Sequence, residues 1–463
     1  MTADLPRVRV VVLTFDGGQM TIDCLASIRA LDWPADRLEV VLVDNGSLDD
    51  VAERVRAEFP EVVVLEPLEN LGFAGGCNLG IRHGIDGPLA DHIDHIALLN
   101  NDATVDPRWL RRLVERMESA ADIGGVASKM LFADRFHGIK LAVDGVDDSD
   151  PGKALGVCLS AVRVGGERDD DRLRFDEGFH GPVDPDRARD EEFARWTRSS
   201  AELRLVARDT DPEPGRVALR LSAKEVHRVT LTSDLEQIEI TVGEGGERAA
   251  LWAEIIVGSE TFDAINNVGS ELYRLGFAGD RGFTERDEGQ FETSEEVFAW
   301  CGGAALLRAA HLDEVGLFDE HLFLYYEDTD LAWRARRAGW RHVYEPGALV
   351  RHRHAQTSGV GSDVFRFHTE RNRLLVTARN APIGLVALTG LAEARHCLRV
   401  NLALLVKRPL TLRMPSRVEP RHRRRVLGAY LRALPRYLRS RRDSPGPTRS
   451  RSSVLRQWEH SKW

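Results

Sequence analysis

The sequence has few of the features that mark disulfide-bonded, zinc-binding or membrane-spanning proteins. It contains five cysteines in 463 residues, an odd number, and none are spaced as Cys-x-x-Cys. A disulfide framework or a zinc site is therefore not expected, and a reducing compartment is indicated. The N-terminus lacks the basic start and long apolar stretch of a signal peptide. No run of 18 apolar residues occurs, and the nearest candidate, 383–406, contains Glu393 and Arg395, so a spanning helix is not expected.

The charge of the chain is unevenly distributed. The whole chain has a formal net charge of −10, which argues against nucleic acid as a partner. Residues 395–463 hold 19 Lys and Arg against 3 Asp and Glu, a net charge of +16, which leaves −26 for the preceding residues. An acidic body with a basic tail indicates an anionic surface as a partner.

The apolar patterns predict an α/β fold, with a Rossmann-like, mostly parallel sheet, an inserted antiparallel β-sandwich module and a helical C-terminal tail. Short β-branched runs such as VRVVVL (8–13) alternate with helical spacings over the first 130 residues. The next segment is acidic and divides into strand-length apolar runs separated by turn residues. The predicted divisions are 1–139 (nucleotide-binding half), 140–265 (β-module), 266–382 (second half of the α/β domain), 383–440 (basic amphipathic helices) and 441–463 (disordered tail).

Polar motifs follow the predicted strands at the points where parallel sheets bind ligands. Asp44 fits either a ribose-binding acid or a turn-forming Asp-Asn-Gly. The glycine-rich turn ENLGFAGGCNLGI (69–81) precedes a helix but is not a GxGxxG fingerprint. Asp102, after the strand HIALL, fits either a carboxylate that holds Mg²⁺ or Mn²⁺ on a diphosphate or an Asx turn.

Apolar residues at helical spacing predict a helix from Leu324 to Ala338, and Glu327 and Asp328 lie near its start. Acids in a first helical turn are favoured by the helix dipole, which is a sufficient structural explanation. However, Asp328 lies on the apolar stripe of that helix, where a carboxylate is costly, and this indicates a function. His352 follows a later apolar strand; a lone histidine is more often structural, but a nearby carboxylate-bound metal would favour a ligand role.

Together these motifs resemble the family 2 glycosyltransferases of GT-A fold, especially the rhamnosyltransferase-like and galactofuranosyltransferase-like branch. The resemblance covers roughly residues 8–132 and 265–382. The matching stretches are VVVLTF, LVDNGS, ENLGFAGGCNLGI, LLNNDATVDPRWL, WCGGAALLR, VGLFDEHLFLYYEDTDLAWRARRAGWRHVYEPGALVRH and TERNRLL. The β-module lies outside the usual pattern of the family.

The resemblance implies roles for the motif residues. Asp328, from the pair Glu327-Asp328, matches the catalytic base, while Asp102 and His352 match ligands of a divalent cation, Mg²⁺ or Mn²⁺. The residues implied for the nucleotide and its diphosphate are Thr14, Asp44, Asn70, Gly72, Asn78, Asn100 and Asn101.

One departure from the family pattern concerns the metal. Asn100 and Asn101 stand where many members have acids. An asparagine still offers a carbonyl oxygen, so the expectation is a divalent cation that is held more weakly.

The resemblance implies an inverting glycosyltransferase that moves a sugar from a nucleoside-diphosphate sugar to a cell-envelope polysaccharide or glycolipid. The alternatives are a non-catalytic carbohydrate-binding protein, or another nucleotide-using enzyme such as a nucleotidyltransferase, which the lack of Lys and Arg in 69–81 disfavours. The β-module is expected beside the acceptor side, or else as a spacer or oligomerisation element.

The expected partners are the donor, a glycan or lipid-linked glycan acceptor, an anionic membrane surface and, as a possibility, a second copy of the chain. The basic tail predicts a cytoplasmic protein held peripherally on the inner face of the plasma membrane. In the alternative, the tail helices cap the catalytic domain or form a dimer. The apolar positions at helical spacing are Leu398, Leu402, Leu405, Val426, Leu427, Tyr430, Leu431 and Leu434.

Overall fold

The computed structural model divides the chain into two compact units. The first comprises Met1–Ala133, Ile265–Phe283 and Gly289–Trp463, and the second comprises Asp134–Ala264 and Thr284–Glu288. The structure describes residues 5–149, 155–175, 178–180, 193–208, 210–211, 215–244, 249–353, 362–410, 418–442 and 449–460, with backbone only for 404–410 and 418.

The described helices all belong to the first unit. They are α1 (Gly18–Arg29), α2 (Val51–Glu58), α3 (Gly72–Arg82), α4 (Trp109–Glu118), α5 (Ala309–Val315), α6 (Glu327–Ala338), α7 (Asp363–Asn380), α8 (Ile383–Leu410), α9 (Val418–Arg439) and α10 (Arg451–Trp458). Their ends follow local chemistry: Gly339, with φ of +106°, ends α6, and the Ser362 hydroxyl accepts from the Phe365 N–H (3.1 Å) at the start of α7.

Strands occur in both units. Those before the second unit are β1 (Val8–Thr14), β2 (Leu38–Asp44), β3 (Val63–Leu65), β4 (His95–Asn100), β5 (Ala103–Val105) and β6 (Ile123–Phe132). Those within it are β7 (Phe136–Val143), β8 (Val157–Val164), β9 (Glu167–Arg168), β10 (Leu173–Phe175), β11 (Arg195–Trp196), β12 (Ser200–Val206), β13 (Gly215–Ala223), β14 (His227–Thr232), β15 (Gln237–Val242) and β16 (Leu251–Val257). Those after it are β17 (Ile265–Asn267), β18 (Ser270–Tyr273), β19 (Ala278–Asp280), β20 (Glu295–Glu296), β21 (Ala304–Arg308), β22 (Arg341–His352) and β23 (Glu459–His460).

The first unit is built on a mixed, mostly parallel sheet. Its strand order is β20-β22-β6-β21-β4-β1-β2-β3, with β17 added beside β6 and β5 beside β22. Strands β3, β2, β1 and β4 pair in parallel, as do β6 and β22, whereas β21 runs antiparallel between β4 and β6. The valine-rich strand β1 is buried on both faces, since Val10 and Val12 lie in one hydrophobic core and Val11 in the other.

The second unit is an antiparallel β-sandwich. One sheet has the order β10-β12-β7-β14-β15, and the other has β11-β8-β13-β16 with β9 beside β8. Alternate residues of both sheets, including Ile139 and Leu141 of β7 and Leu219 and Leu221 of β13, form one core. The predicted fold class is therefore confirmed: an α/β sheet with an inserted antiparallel sandwich and C-terminal helices.

The C-terminal helices correct part of the membrane prediction. On α9, Val426 and Tyr430 are buried in a core that α7 also lines, and Leu427 and Leu434 pack against it. These side chains are covered by protein, so the prediction that they lie among lipid headgroups is wrong. Leu431 is exposed, and the side chain of Leu405 lies outside the described residues.

The structure also differs from the disordered tail predicted from residue 441. Helix α10 buries Val454, and Glu459–His460 pair in parallel with β18. Leu455 and Trp458 also pack against the core that contains Val454, so apolar contacts and a strand pairing together hold this segment. Residues 443–448 and 461–463, also in that prediction, lie outside the described residues.

Candidate active site

Three predicted residues lie at one edge of the sheet. Thr14 at the end of β1 pairs in register with Asp44 of β2, and Leu13 pairs with Asn100 of β4. Thr14 and Asp44 are buried, and Asp44 Oδ1 accepts from the Ser47 N–H (3.0 Å). Ligands of open α/β sheets bind beyond the carboxyl ends of the strands, and this edge is such a site.

Asn45, which the sequence analysis did not single out, holds the glycine-rich turn. Its Nδ2 donates to Asn70 Oδ1 (3.0 Å) and the Gly72 carbonyl (3.1 Å), and its Oδ1 accepts from the Leu71 N–H (2.8 Å). Gly72 has φ of +69°, and a Cβ there would collide with the Phe323 carbonyl, so the turn requires glycine. The place of Asn45 directly after a strand-end carboxylate was the available signal.

Two asparagines predicted for the nucleotide pocket have amides engaged within the protein. Asn78 donates to the Phe318 carbonyl (3.0 Å) and accepts from the Phe318 N–H (3.1 Å). Asn101 donates to the hydroxyls of Thr14 (3.1 Å) and Thr21 (3.2 Å). Through these hydrogen bonds Asn78 and Asn101 hold neighbouring segments together. The prediction gave both residues a contact with nucleotide instead.

Asp102 and His352 meet where β4 and β22 end. Asp102 Oδ1 lies 3.0 Å from His352 Nε2, and both side chains are buried. Their approach follows from the pairing of β22 with β5, in which His352 is in register with Ala103. Asn100 Nδ2 lies 3.3 Å from the same His352 nitrogen. The structure thus brings together the two residues predicted as metal ligands.

The donor set at Asp102 and His352 fits a divalent cation. His352 Nδ1 lies 2.9 Å from Asn266 Oδ1 and can donate to it, which leaves Nε2, beside Asp102, as the nitrogen that a cation would bind. A carboxylate oxygen beside an imidazole nitrogen suits a bound cation. Within the described residues, no group of three or more His, Cys, Asp or Glu is placed to hold a metal. Phosphate oxygens and water would therefore supply the remaining ligands.

Asp328 is held by backbone groups at the start of α6. Its Oδ2 accepts from the Gly302 N–H (3.2 Å), and its Oδ1 accepts from the Thr329 N–H (2.6 Å). Burial raises the pKa of Asp328, although these hydrogen bonds oppose the shift. A carboxylate with a raised pKa is a stronger proton acceptor, which suits a general base.

Glu327 lies in different surroundings from its neighbour. The residue is buried, and its Oε2 has no hydrogen-bond partner in the described structure. Burial, followed by the charge of Asp328, raises the pKa of Glu327 well above its ordinary value. The uncharged acid is therefore favoured, and of the predicted pair Asp328 is better suited to accept a proton.

The turn before α6 has an unusual backbone. Phe323, Tyr325 and Tyr326 have φ of 67°, 67° and 70°, a region that costs a non-glycine residue about 1–3 kcal/mol. The predicted helix therefore begins at Glu327 and not at Leu324. Residues that keep such strain cluster at functional sites, where the surrounding structure holds them in place.

Asn372 of α7 holds this strained turn. It is fully buried, and its Nδ2 donates to the carbonyls of Leu322 (2.9 Å), Leu324 (2.9 Å) and Tyr325 (2.7 Å). The neighbouring Arg371 donates to Asn372 Oδ1 (2.8 Å). Arg371 and Asn372 of the TERNR motif therefore hold the turn that precedes Asp328 in place.

A short series of contacts links Asp328 to His352. Asp328 accepts from the Gly302 N–H. The carbonyl of the following residue, Gly303, accepts from the Asn100 N–H (2.9 Å). The Asn100 side chain reaches His352. The Gly-Gly segment therefore joins the predicted base to the predicted metal ligands.

Asp280 is a further acid at this site that the sequence analysis missed. Its Oδ1 accepts from Asn267 Nδ2 (2.6 Å), and the charges of Asp328 and His352 act on it. Its local sequence, AGDRG, is that of an ordinary turn, so no signal in the residues themselves marked it.

Two family models match the chain. "Glycosyl transferase family 2" matches residues 9–137, and "Glycosyltransferase like family 2" matches residues 257–367. Together the models cover slightly more than half of the chain. They contain all the strand-end residues, the predicted metal ligands, the Gly-Gly segment and Asp328.

Two relatives share shorter stretches. The N-acetylglucosaminyl-diphospho-decaprenol L-rhamnosyltransferase of Mycobacterium tuberculosis is 44% identical over 71 residues, which are 15% of this chain and 23% of the relative. The glycosyltransferase AglE of Haloferax volcanii is 27% identical over 115 residues, which are 24% of this chain and 36% of the relative. The chain thus spans about a quarter to a third of the length of these relatives.

Solved structures give weaker likenesses. GalNAc-T7 with UDP, GalNAc and Mn²⁺ is 11% identical, with 95% of this chain and 58% of that chain covered and a TM-score of 0.46. The mannosyltransferase PcManGT from Pyrobaculum calidifontis, in complex with GDP-Man and Mn²⁺, is 14% identical, with 93% and 87% covered and a TM-score of 0.39. Both TM-scores are below 0.5, so the fold is assigned from the strand order and strand pairing of this chain itself. The two family models show that the chain belongs to the family 2 glycosyltransferases, and a stretch of 71 residues is similar to the M. tuberculosis rhamnosyltransferase.

Proposed function

We propose that the chain transfers a sugar from a nucleoside-diphosphate sugar to a hydroxyl of a cell-envelope glycan, with inversion at the anomeric carbon. The observation that carries this proposal is the series of contacts from Asp328 through Gly302 and Gly303 to Asn100 and His352. This series of contacts supports a general base and a diphosphate site that line the same crevice. The name of the M. tuberculosis enzyme includes a diphospho-decaprenol, and this similarity supports a lipid-linked acceptor.

The reaction proposed is a single displacement. Asp328 takes the proton of the acceptor hydroxyl while that oxygen forms a bond to the anomeric carbon. The bond between this carbon and the diphosphate breaks, and its electron pair leaves with the nucleoside diphosphate. The configuration inverts because the attack comes from the face opposite the leaving group. General base assistance of this kind contributes ~10²–10⁴ in rate.

The donor is held by groups at the sheet edge. Thr14, Asp44 and the turn that contains Asn70 and Gly72 lie where the nucleoside would bind. Asp102 and His352, with Asn100 beside them, would hold Mg²⁺ or Mn²⁺. Such a cation, when bound, offsets the charge that develops on the diphosphate.

The test is a panel of nucleotide sugars that includes dTDP-rhamnose, UDP-sugars and GDP-mannose, each with Mn²⁺, Mg²⁺ or EDTA. The correct donor should raise the unfolding temperature by mass action. With a lipid-linked N-acetylglucosaminyl diphosphate as acceptor, product should form, and NMR should show an inverted anomeric carbon. Stabilisation by no member of the panel, or a product with retained configuration, would contradict the proposal.

We also propose that helix α8 rests on an anionic membrane surface. Leu391, Leu398 and Leu402, spaced seven and four residues apart, are 70%, 60% and 49% exposed, and Arg395 and Arg399 between them are exposed too. These five residues form the α8 leucine face. Leucines beside arginines on one exposed helix suit a headgroup region, where each basic residue adds ~1 kcal/mol. None of the described helices is both long and apolar enough to cross a bilayer.

Helix α9 supports the same orientation with charge alone. Its apolar side is covered by protein, whereas its exposed side carries a series of arginines. The exposed arginines are Arg421, Arg424, Arg425, Arg432, Arg436 and Arg439. Anionic lipid complements both the leucines of α8 and the arginines of α9, and it is the place where a lipid-linked acceptor would be met.

Flotation with vesicles of graded anionic lipid content tests this surface. The variant L391S/L398S/L402S should float less than the wild type, and high salt should weaken flotation of both because it screens charge. Leu235→Ser, which alters a leucine 57% exposed in the β-sandwich, is the matched control and should behave as wild type. If the triple variant floats normally but turns a dimer into a monomer, the face is an interface between copies of the chain and the membrane proposal fails.

A further inference from the structure

Asp280 is a carboxylate that the proposed mechanism does not use. It ends β19, on the hairpin formed with β18, and it accepts a hydrogen bond from Asn267 Nδ2 (2.6 Å). Across the described ranges, no basic side chain forms an ion pair with it. The residue is exposed, yet desolvation by the surrounding protein raises the pKa of Asp280 to about 6.

The groups around Asp280 are those assigned to the reaction. The charges of Asp328 and His352 both act on it. Burial, and then the charges of Asp280 and Asp328, raise the pKa of the Cys301 thiol, and Cys301 precedes the Gly-Gly segment. The hydrogen bonds of two consecutive residues, Asn266 with His352 and Asn267 with Asp280, place Asp280 near the proposed diphosphate site, and the charge of the proposed base acts on it. The sugar that reacts must occupy the space between those two sites.

Two consecutive asparagines hold His352 and Asp280. Asn266 Oδ1 lies 2.9 Å from His352 Nδ1, and Asn267 donates to Asp280. The pairing of β17 with β6 shifts register between Ile265 and Asn267, an irregularity that re-aims side chains. Asn266 is 3% exposed, and its Nδ2 has no hydrogen-bond partner.

A buried donor without a partner costs free energy, and such groups in native structures call for an explanation. Asn266 offers a donor, and Asp280, which the next residue Asn267 holds, offers acceptors. A phosphate oxygen only accepts hydrogen bonds from such a pair. A hydroxyl group both donates to a carboxylate and accepts from an amide, so it matches the two groups together.

We propose that Asp280 binds hydroxyl groups of the sugar at the reacting bond, with Asn267 holding the carboxylate in place. This inference rests on the proposed function, because Asp328 and the Asp102–His352 pair define its flanks. The hydroxyls belong either to the donor sugar or to the acceptor sugar, and the two arms of the test separate these sources.

The donor arm compares binding of a bare nucleoside diphosphate and of its nucleotide sugar, each with Mn²⁺, by thermal shift and titration. The proteins are wild type, Asp280→Asn and Asp280→Ala, with Glu271→Gln of the paired strand β18 as the matched control. A donor contact predicts unchanged affinity for the bare diphosphate in all four proteins. It predicts about 10- to 100-fold weaker nucleotide-sugar binding in the Asp280 variants, as expected for a lost hydrogen bond to a charged group.

The acceptor arm measures transfer kinetics with the lipid-linked acceptor. An acceptor contact predicts unchanged donor affinity and a KM for the acceptor raised by a similar factor in the Asp280 variants, with kcat reduced less. The unfolding temperature without ligand shows whether each variant is folded, and Asp280→Asn keeps the shape of the side chain if Asp280→Ala does not fold.

Two results would overturn the inference. In the first, both arms give wild-type values for Asp280→Asn. In the second, the bare diphosphate and the nucleotide sugar are weakened equally, which would assign Asp280 to the diphosphate or the metal. Failure of the proposed function is distinguishable, since wild type itself would then bind no nucleotide sugar, and the inference would fall with it.

Discussion

Two carboxylates in the first turn of α6, two residues apart, lie in opposite electrostatic surroundings. Asp328 accepts from backbone N–H groups and from Thr329, and its acidic neighbours are Glu327 and Asp280. Asp330 is fully buried and is compensated by three side chains. These are Arg379 (2.6 Å), Arg334 (2.9 Å) and Asn380 (2.9 Å).

The difference indicates that Asp328 serves the proposed reaction, whereas Asp330 stabilises the packing of α6 against α7. Arg379 also pairs with Asp319 (2.5 Å). Burial acts to raise the pKa of Asp319, but the charge of Arg379 and the hydrogen bonds to the carboxylate together outweigh it, so that this pKa is lowered. The Asp330 side of α6 is therefore a paired network that joins α6 to α7. Within the described residues no Arg or Lys pairs with Asp328, and an acid without such a partner is costly for stability and is expected where protons are exchanged.

The sharpest test of the comparison is Asp328→Asn. Transfer should fall by ~10²–10⁴ because the proton acceptor is lost, while donor binding and the unfolding temperature should stay close to wild type. Steady-state kinetics and thermal shift measure the two effects. Glu327→Gln is the matched neighbour and should cost much less activity; turnover like wild type in Asp328→Asn would place the base elsewhere.

The opposite pattern is expected for Asp330→Asn. Asp330→Asn removes one acid from this buried network and leaves Arg379 with Asp319 as its remaining acidic partner. The free energy of unfolding should fall by up to about 3–5 kcal/mol. Urea unfolding measures this, and the protein that remains folded at low temperature should keep most of its turnover. An unchanged urea midpoint with lost transfer would mean that Asp330 belongs to the chemistry.

The proposed metal ligands lie on the Asp328 side of the comparison. Asp102→Ala should weaken binding of the nucleoside diphosphate by ~10- to 100-fold in Mn²⁺ and much less in EDTA, since the metal mediates the contact. His352→Ala should act in the same direction to a smaller degree. Titration calorimetry with and without metal gives both values, and undiminished transfer in EDTA would remove both assignments.

Asn372→Ala tests how α7 serves both sides. This helix carries Arg379, which pairs with Asp330, and Asn372, which holds the strained turn before Asp328. Loss of the amide should lower kcat by roughly tenfold through misplacement of the base. The pH profile of the remaining activity should keep its shape, because the titrating group is unchanged. A shifted profile would mean that Asn372 acts on the protonation of Asp328.

The smallest expected effect concerns stability against pH at Glu327. Its pKa is raised in the folded protein above the ordinary value of 4.5. The stabilising contribution is therefore complete below about pH 4.5 and is lost as the pH rises towards the folded pKa. Glu327→Gln should remove this part of the slope, so that the variant gains stability relative to wild type as pH rises. Parallel stability curves between pH 4 and 8 would contradict the shift.

Part of the site could be predicted because parallel strands end at a common edge. Asp44 and Asp102 each follow a β-branched run, and this placement puts them at one side of the sheet without knowledge of any contact. Asn266, Asn267 and Asp280 lie in irregular or turn-like segments. Their meeting with His352 depends on strand pairings between distant parts of the chain, which no local pattern reports.

The tail shows where periodicity stops being informative. Helical spacing of apolar residues on α8 and α9 predicts a stripe on each helix, but it does not show what covers the stripe. In the structure α9 buries Val426 and Tyr430 against protein, whereas α8 leaves Leu391 and Leu398 exposed. The same reasoning applied to the charged tail beyond residue 441 missed the apolar contacts of α10, in which Val454 is buried and Leu455 and Trp458 pack against the same core.

The sequence by itself determined the fold class, the inserted β-sandwich, the family resemblance and the strand-end carboxylates, because alternation, turn residues and strand ends are local properties. Only the tertiary structure decided which acid of the Glu-Asp-Thr-Asp run is paired, since Arg379 lies 49 residues from Asp330. It also decided which helix face is covered and that Asp280 joins the site. These outcomes depend on packing between segments far apart in the chain, where burial and charge compensation are settled.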